Sequence, residues 1–269
     1  MAEPIYVALR PIASDKTIHF CATDGTTNYR KSVTSKTLER NSIYPVNLST
    51  TETTGTALEF LTASYEAQDG ETLSGILLGK YAISTASTTG DATITVTLNG
   101  VDINHHYPIS IHAPGINCQG NINLVLADGS VNYITTSIAG YAGIFITGSR
   151  TLTISGNGSL TATGKGNSSS SSGGAGIGGG RDSSYDGGNI VIAGGTINAT
   201  GGEYAAGIGS GRGTNSSSQS ICGTITIKSD VTSVIATKGN PAYDSIGKGT
   251  FNSECGAVFI EYPSKVTQN

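Results

Sequence analysis

The sequence predicts an all-β chain: a right-handed parallel β-helix, or solenoid, preceded by part of a β-sandwich. Three observations predict the solenoid. One phrase recurs, as Ala142-Gly143-Ile144, Ala175-Gly176-Ile177-Gly178, Ala206-Gly207-Ile208-Gly209 and, degraded, Asp244-Ser245-Ile246-Gly247. Its isoleucines lie 33, 31 and 38 residues apart, and a drifting period with fixed apolar columns marks a solenoid whose loops vary in length. Between the phrases, short segments alternate apolar residues with Thr, Asn or Val, the period-2 pattern of strands with one buried face. The Leu, Ala, Glu and Lys runs at 3.6 spacing that helical repeats need are absent.

Each phrase is followed by a β-branched strand: Leu152-Thr153-Ile154, Ile190-Val191-Ile192, Ile225-Thr226-Ile227 and Val258-Phe259-Ile260. A second strand follows in three repeats: Leu160-Thr161-Ala162-Thr163, Ile197-Asn198-Ala199-Thr200 and Val234-Ile235-Ala236-Thr237. Rungs of three short strands stack at about 4.8 Å, so equivalent residues become inward ladders. Ile144, Ile177, Ile208 and Ile246 form one ladder; Ile154, Ile192, Ile227 and Ile260 a second; Leu160, Ile197 and Val234 a third. Ala162, Ala199 and Ala236 fill tight corners.

The totals agree. The chain has 38 glycines, no Trp, and 13% charged and 36% hydrophobic residues, which suits a turn-rich all-β protein with a narrow core. The glycines have no three-residue period, which excludes collagen. A net charge of −4 gives no basic face for nucleic acid. No stretch approaches the roughly 18 apolar residues of a transmembrane segment. Met1-Ala2-Glu3-Pro4 leads straight into a strand with no secretory signal, and the Ser/Thr/Gly/Asn-rich, charge-poor surface predicts an exported protein whose signal lies outside this sequence.

Residues 1–50 lack the phrase and read as closing strands of a sandwich. Ile5-Tyr6-Val7-Ala8-Leu9 is a strand ended by Arg10-Pro11. Thr17 to Thr23 alternates, Asp24-Gly25 is a hairpin signal, and Tyr29 to Val33 is the return strand. Residues 51–70 read as a linker and solenoid cap. Ala57, Leu58, Leu61 and Tyr65 stand at helix-like spacing, and a cap shields the edge of a first rung. Residues 71–269 are then the solenoid. Ile94, Val96 and Leu98 form its early strand with Asn99-Gly100 as the turn, and a less regular rung runs through Ile109, Ile111, Ile122, Leu124 and Leu126.

Of the four cysteines, Cys21, Cys118, Cys222 and Cys255, the last two share a register. Cys222-Gly223-Thr224-Ile225 and Cys255-Gly256-Ala257-Val258 lie one rung apart. Two readings fit: a disulfide, which stacked rungs and an oxidising compartment permit, or a ladder of small buried thiols. No CxxC pair accompanies them, which argues against zinc.

Loops of neighbouring rungs gather on one side of a solenoid, its natural binding face. Arg181 and Arg212 share a column there, each four residues beyond its phrase isoleucine, with Lys248 near the same edge. These cations suit an anionic ligand or serve as solvated loop charges, with Asp182 and Asp186 as neutralising partners. Tyr185, Tyr204 and Tyr243 fall nearby, placed either to stack on sugar rings or to pack against the coil. Asp182 and Asp186 are also weak candidates for a calcium ion. His105-His106 and His112 read as surface residues. A β-helical lyase or hydrolase needs paired carboxylates on one open face, and no acidic pair repeats at matching strand positions. No Gly-Lys-Ser/Thr follows the glycine phrases, so they are not phosphate loops.

Ile5-Tyr6-Val7-Ala8-Leu9, the Asp24-Gly25 hairpin, Lys36-Thr37-Leu38 and Tyr44-Pro45-Val46-Asn47-Leu48 resemble the closing strands of fimbrillin-type adhesion proteins, the pilin-like surface proteins of Gram-negative anaerobes. Tyr65 to Leu73, Leu98-Asn99-Gly100-Val101 and the Ala-Gly-Ile-Gly rungs are similar to β-helical domains attached to such fimbrillins. Val125-Leu126-Ala127-Asp128-Gly129-Ser130 and the run from Leu152 to Leu160 also resemble a secreted β-helical carbohydrate-binding family. The resemblance implies a non-catalytic protein at the cell surface, associated with the outer membrane or a fimbria. It would bind carbohydrate or a host surface receptor, with other pilin subunits as further partners and no catalytic residue or obligate cofactor. The rival readings are a polysaccharide lyase or glycoside hydrolase on the same scaffold, and a structural spacer.

Overall fold

The structure is a computed structural model and describes residues 18–23, 28–33, 51–52, 55–77, 81–104, 113–136, 138–167, 172–214 and 218–269. Among the described residues it is all-β, with 49% strand and 4% helix. The chain divides into two units, at Thr54 and Gly55.

In the first unit, Ile18–Thr23 and Asn28–Val33 pair antiparallel with Ile18 opposite Val33 and Thr23 opposite Asn28. Thr51–Glu52 adds a third antiparallel strand beside Asn28–Val33. The expected strand over residues 5–9 and the fimbrillin-like run over residues 44–48 lie outside the described residues.

The second unit is a parallel, solenoid-like coil. Alternation along each strand decides which side chains face inward. Asn121–Leu126 buries Ile122, Leu124 and Leu126 while its intervening residues face out, and Thr151–Gly156 and Asn189–Ile192 repeat the pattern. One ladder runs from the first half of Thr93–Asn104 through Asn121–Leu126, Thr151–Gly156, Asn189–Ile192 and Ile225–Ile227 to Val258–Ile260. A second continues from the other half of Thr93–Asn104 through Val131–Thr135, Ser159–Thr163, Thr196–Thr200 and Ser233–Thr237 to Val266–Gln268. A third sheet stacks seven very short strands, from Tyr65–Ala67 to Ile246–Gly247.

The registers are those of the sequence columns. Ile144 lies opposite Ile177, Ile177 opposite Ile208 and Ile208 opposite Ile246. Leu160, Ile197 and Val234 align likewise, as do Ala162, Ala199 and Ala236. The isoleucine column also extends upstream through Ile116 and Ile83. Each fully buried isoleucine contributes about 1.5–3 kcal/mol of transfer free energy, and the columns give the narrow coil one continuous core.

Two details differ from the sequence reading. Asn99-Gly100 does not end a strand: Thr93–Asn104 runs through it as one 12-residue strand. The backbone N–H groups of Gly100 and Val101 both donate to Asn132 Oδ1 at 3.0 Å, which replaces the ladder bonds lost at the bend. The helix-like spacing from Ala57 to Tyr65 yields a single 3-10 turn, Leu58–Phe60, flanked by strands Thr56–Ala57 and Tyr65–Ala67 that join the ladders.

In the third sheet a strand of two residues must turn at once. Gly178, Gly209 and Gly247 take φ of 133–141°, open to glycine and strained for other residues. A Cβ on Gly209 would also fall within the van der Waals envelope of the Gly247 carbonyl oxygen. Because these strands are so short, loops from both of their ends meet beside them, and that meeting places the candidate site.

Candidate functional site

Backbone hydrogen bonds between rungs build the corner. Ser210, fully buried, donates its N–H to Gly247 O at 2.9 Å and accepts at Oγ from Gly249 N at 3.0 Å. Two residues on, Arg212 N donates to Gly173 O, and Arg212 O accepts from Asp182 N, each at 3.0 Å. From the next rung, Thr250 N and Oγ1 both donate to Tyr204 O, at 2.9 and 3.1 Å, and Gly213 N donates to Thr250 O at 3.2 Å. Arg212 is thereby held between Arg181 and Asp182 on one side and Thr250 and Phe251 on the other.

The side chains follow from this frame. The Arg212 guanidinium carbon lies 4.5 Å from the Phe251 ring centroid and 5.4 Å from that of Tyr204, and the two rings are 6.1 Å apart. Its Nε is buried with no hydrogen-bond partner among the described residues. Burial holds the Arg212 pKa below the usual arginine range; Tyr204 opposes this shift and the neighbouring Arg181 charge adds to it. Arg181, by contrast, has its carboxylate: Nε donates to Asp182 Oδ2 at 3.3 Å. Lys248 pairs with Glu254 at 2.7 Å, and that partner raises its pKa. Tyr243 stands 64% exposed on the rung after Tyr204.

The remaining candidates are engaged in the frame. Tyr185 turns its ring edge-on to Tyr141 at 4.9 Å and to Phe145 at 5.9 Å, and the two tyrosine hydroxyls are 2.8 Å apart. Asp182 accepts from Ser184 N at 3.0 Å and caps the 3-10 turn Ser183–Tyr185. Asp186 accepts from Ile221 N at 2.8 Å, and its pKa is raised by burial first, with the Asp182 charge adding. Among the described residues no three His, Cys, Asp or Glu side chains group as a metal site. His105, His106, His112, Ile109 and Ile111 lie outside the described residues.

Cys222 and Cys255 are bonded as a disulfide with Cα atoms 4.6 Å apart. They close a small parallel pair, Ser220–Cys222 with Ser253–Cys255. Cys118 is buried in the core, which pushes its pKa up to about 12 and keeps the thiol protonated.

The structure therefore brings Arg181, Arg212 and Tyr204 to one place and adds Phe251, which the sequence columns did not reveal. Backbone strain converges there too. Asp182, Tyr204, Phe251 and Asn252 are the non-glycine residues with positive φ among the described residues, and all four lie in the loops that border the arginines. Such conformations cost of order 1–3 kcal/mol each and concentrate at functional sites.

No protein-family model, curated protein or solved structure matches the chain. Among the described residues no helix is long and apolar enough to cross a membrane.

Proposed function

We propose that this chain is an exported, non-catalytic adhesion protein of the cell surface, associated with a pilus or fimbria. In this reading residues 1–50 are closing strands of a fimbrillin-like sandwich, residues 51–70 link and cap, and residues 71–269 form a right-handed β-helix that binds carbohydrate or a host surface receptor through its loop corner. The observation that carries the reading is the cluster of Tyr204, Arg212 and Phe251. It sets aromatic surface, with Phe251 half exposed, beside a cation that has no acidic partner among the described residues. Aromatic faces stack on sugar rings, and an arginine fork bonds to their oxygens.

The test is retention of the purified chain on neutral and acidic polysaccharides, with and without calcium, with reducing-end release measured in the same samples. Retention without cleavage supports the adhesion reading. Release of reducing ends overturns it in favour of a polysaccharide-cleaving enzyme, and no retention on any polymer leaves the spacer or a protein receptor.

A further inference from the structure

We propose that Arg212, with Arg181 one rung before it, forms a binding site for a single oxyanion, a carboxylate or a sulfate. The inference rests on the same corner as the adhesion reading and names the chemistry that corner takes.

Ion pairing singles out Arg212. Of the three cations that the sequence places on this face, Arg181 has Asp182 at 3.3 Å and Lys248 has Glu254 at 2.7 Å. Arg212 has no carboxylate within ion-pair distance among the described residues. Asp182 cannot serve both arginines well: Oδ1 accepts from Ser184 N and Oδ2 from Arg181. Buried nitrogens almost always have an acceptor, yet Arg212 Nε has none.

Geometry then says what would complete the set. Phe251 and Tyr204 both lie to one side of the planar guanidinium, since its carbon and the two ring centroids form a triangle of 4.5, 5.4 and 6.1 Å. Its N–H donors radiate in the plane, where a two-oxygen acceptor meets them side by side. The backbone of Arg212 is bonded to Gly173 and Asp182 and its guanidinium lies against Phe251 and Tyr204, which restricts the fork before any ligand arrives and lowers the ordering cost of binding. Stacked like charges repel, and the Arg181 charge bears on Arg212. An anion shared by both relieves that repulsion. The acceptor comes from one of two sources, a free small acid or an acidic group on a polymer.

The intact chain, labelled with nitrogen-15, is titrated with sodium sulfate and with galacturonate against a sodium chloride control of equal ionic strength, while the arginine Nε–H resonances are followed. Arg212→Lys assigns the Arg212 resonance by its loss. Saturable movement of that resonance with both anions and none with chloride is expected. Arg181→Gln should weaken the affinity about 3-fold to 10-fold, with the far-UV circular dichroism of each variant checked against the parent. Movement that tracks ionic strength alone, or the same affinity in Arg181→Gln, overturns the site.

Sulfated and uronate polymers beside neutral dextran separate the sources. Anion binding with no polymer retained keeps the site, assigns it to small acids and removes adhesion through carbohydrate. Acidic polymer retained by the parent and lost in Arg212→Lys supports both. Neutral and acidic polymers retained equally by parent and Arg212→Lys, with no saturable shift, keep adhesion and overturn the oxyanion site.

Discussion

Asn132 stands opposite Leu160 in parallel register, a polar residue at an inward position that is apolar from the next rung onward. It is fully buried and fully used. Oδ1 accepts from Gly100 N and Val101 N, and Nδ2 donates to Ser130 Oγ at 2.9 Å and Ser159 O at 3.0 Å. Asn132→Leu would restore the apolar column yet strand two backbone donors at the bend of the long strand. The two stranded donors together cost about 2–6 kcal/mol and burial of the leucine returns about 1.5–3 kcal/mol, so a net loss of about 2 kcal/mol is expected. Urea unfolding measures it, and a variant as stable as the parent would show that packing, not the bend, sets the energy there.

A second prediction uses two isoleucines that differ in facing. Ile208 is fully buried at the centre of its column, and Ile235 points outward with 37% of its surface exposed. Ile208→Ala should cost about 2–5 kcal/mol through lost transfer energy and the cavity left between Ile177 and Ile246. Ile235→Ala should stay within about 0.5 kcal/mol. In a solenoid each rung leans on its neighbours, so hydrogen exchange should quicken in the rungs flanking position 208 before it quickens around Asn121–Leu126.

These two sites also show what the sequence could and could not tell. Ile144, Ile177 and Ile208 were legible because each follows an Ala-Gly pair whose glycine close stacking demands, whereas Ile246 has Ser245 before it and keeps only the glycine after it. Ile116 follows Ala113-Pro114-Gly115, a variant of the phrase that could have been recognised, while Ile83 follows Tyr81-Ala82 and carries no such mark. The strand through Asn99-Gly100 was hidden because its bend depends on a side chain 32 residues away. The arginine column was legible from spacing. Phe251 was not, because its place depends on Thr250 bonding to Tyr204 across a rung, and equivalent loops before it carry no aromatic residue there.

The disulfide ties residues 33 apart in sequence. Closing a loop of that length removes unfolded-chain entropy worth about 3–4 kcal/mol in the chain-entropy model. A Cys222→Ala/Cys255→Ala variant should lose about that much, concentrated in the rungs that hold Ser220–Cys222 and Ser253–Cys255. Mass-resolved hydrogen exchange should show faster exchange there, with protection of Asn121–Leu126 unchanged. Iodoacetamide should leave Cys118 unmodified in the native parent at mildly alkaline pH, since the thiol is buried and protonated, and label it only in denaturant. Equal protection of the last rungs with and without the bridge would remove it from the stability of the corner.

Asp186 makes the stability of the corner depend on pH. Burial, with the Asp182 charge adding, holds its folded pKa above the ordinary carboxylate value, against the opposing Ile221 N–H bond. A raised acid favours the protonated form in the folded chain, so its contribution to stability is full below the unfolded pKa of about 3.9 and is lost as pH rises through the folded value. Asp186→Asn keeps an oxygen to accept from Ile221 N and removes both the titration and the repulsion from Asp182. Relative to the parent, the variant should therefore gain stability as pH rises through the folded Asp186 pKa and hold a constant advantage above it. Thermal unfolding of both proteins from about pH 3 to pH 7 measures the difference. A difference that shrinks with rising pH would mean that the Ile221 bond to the charged carboxylate outweighs its burial, so that ionised Asp186 stabilises the fold rather than opposing it.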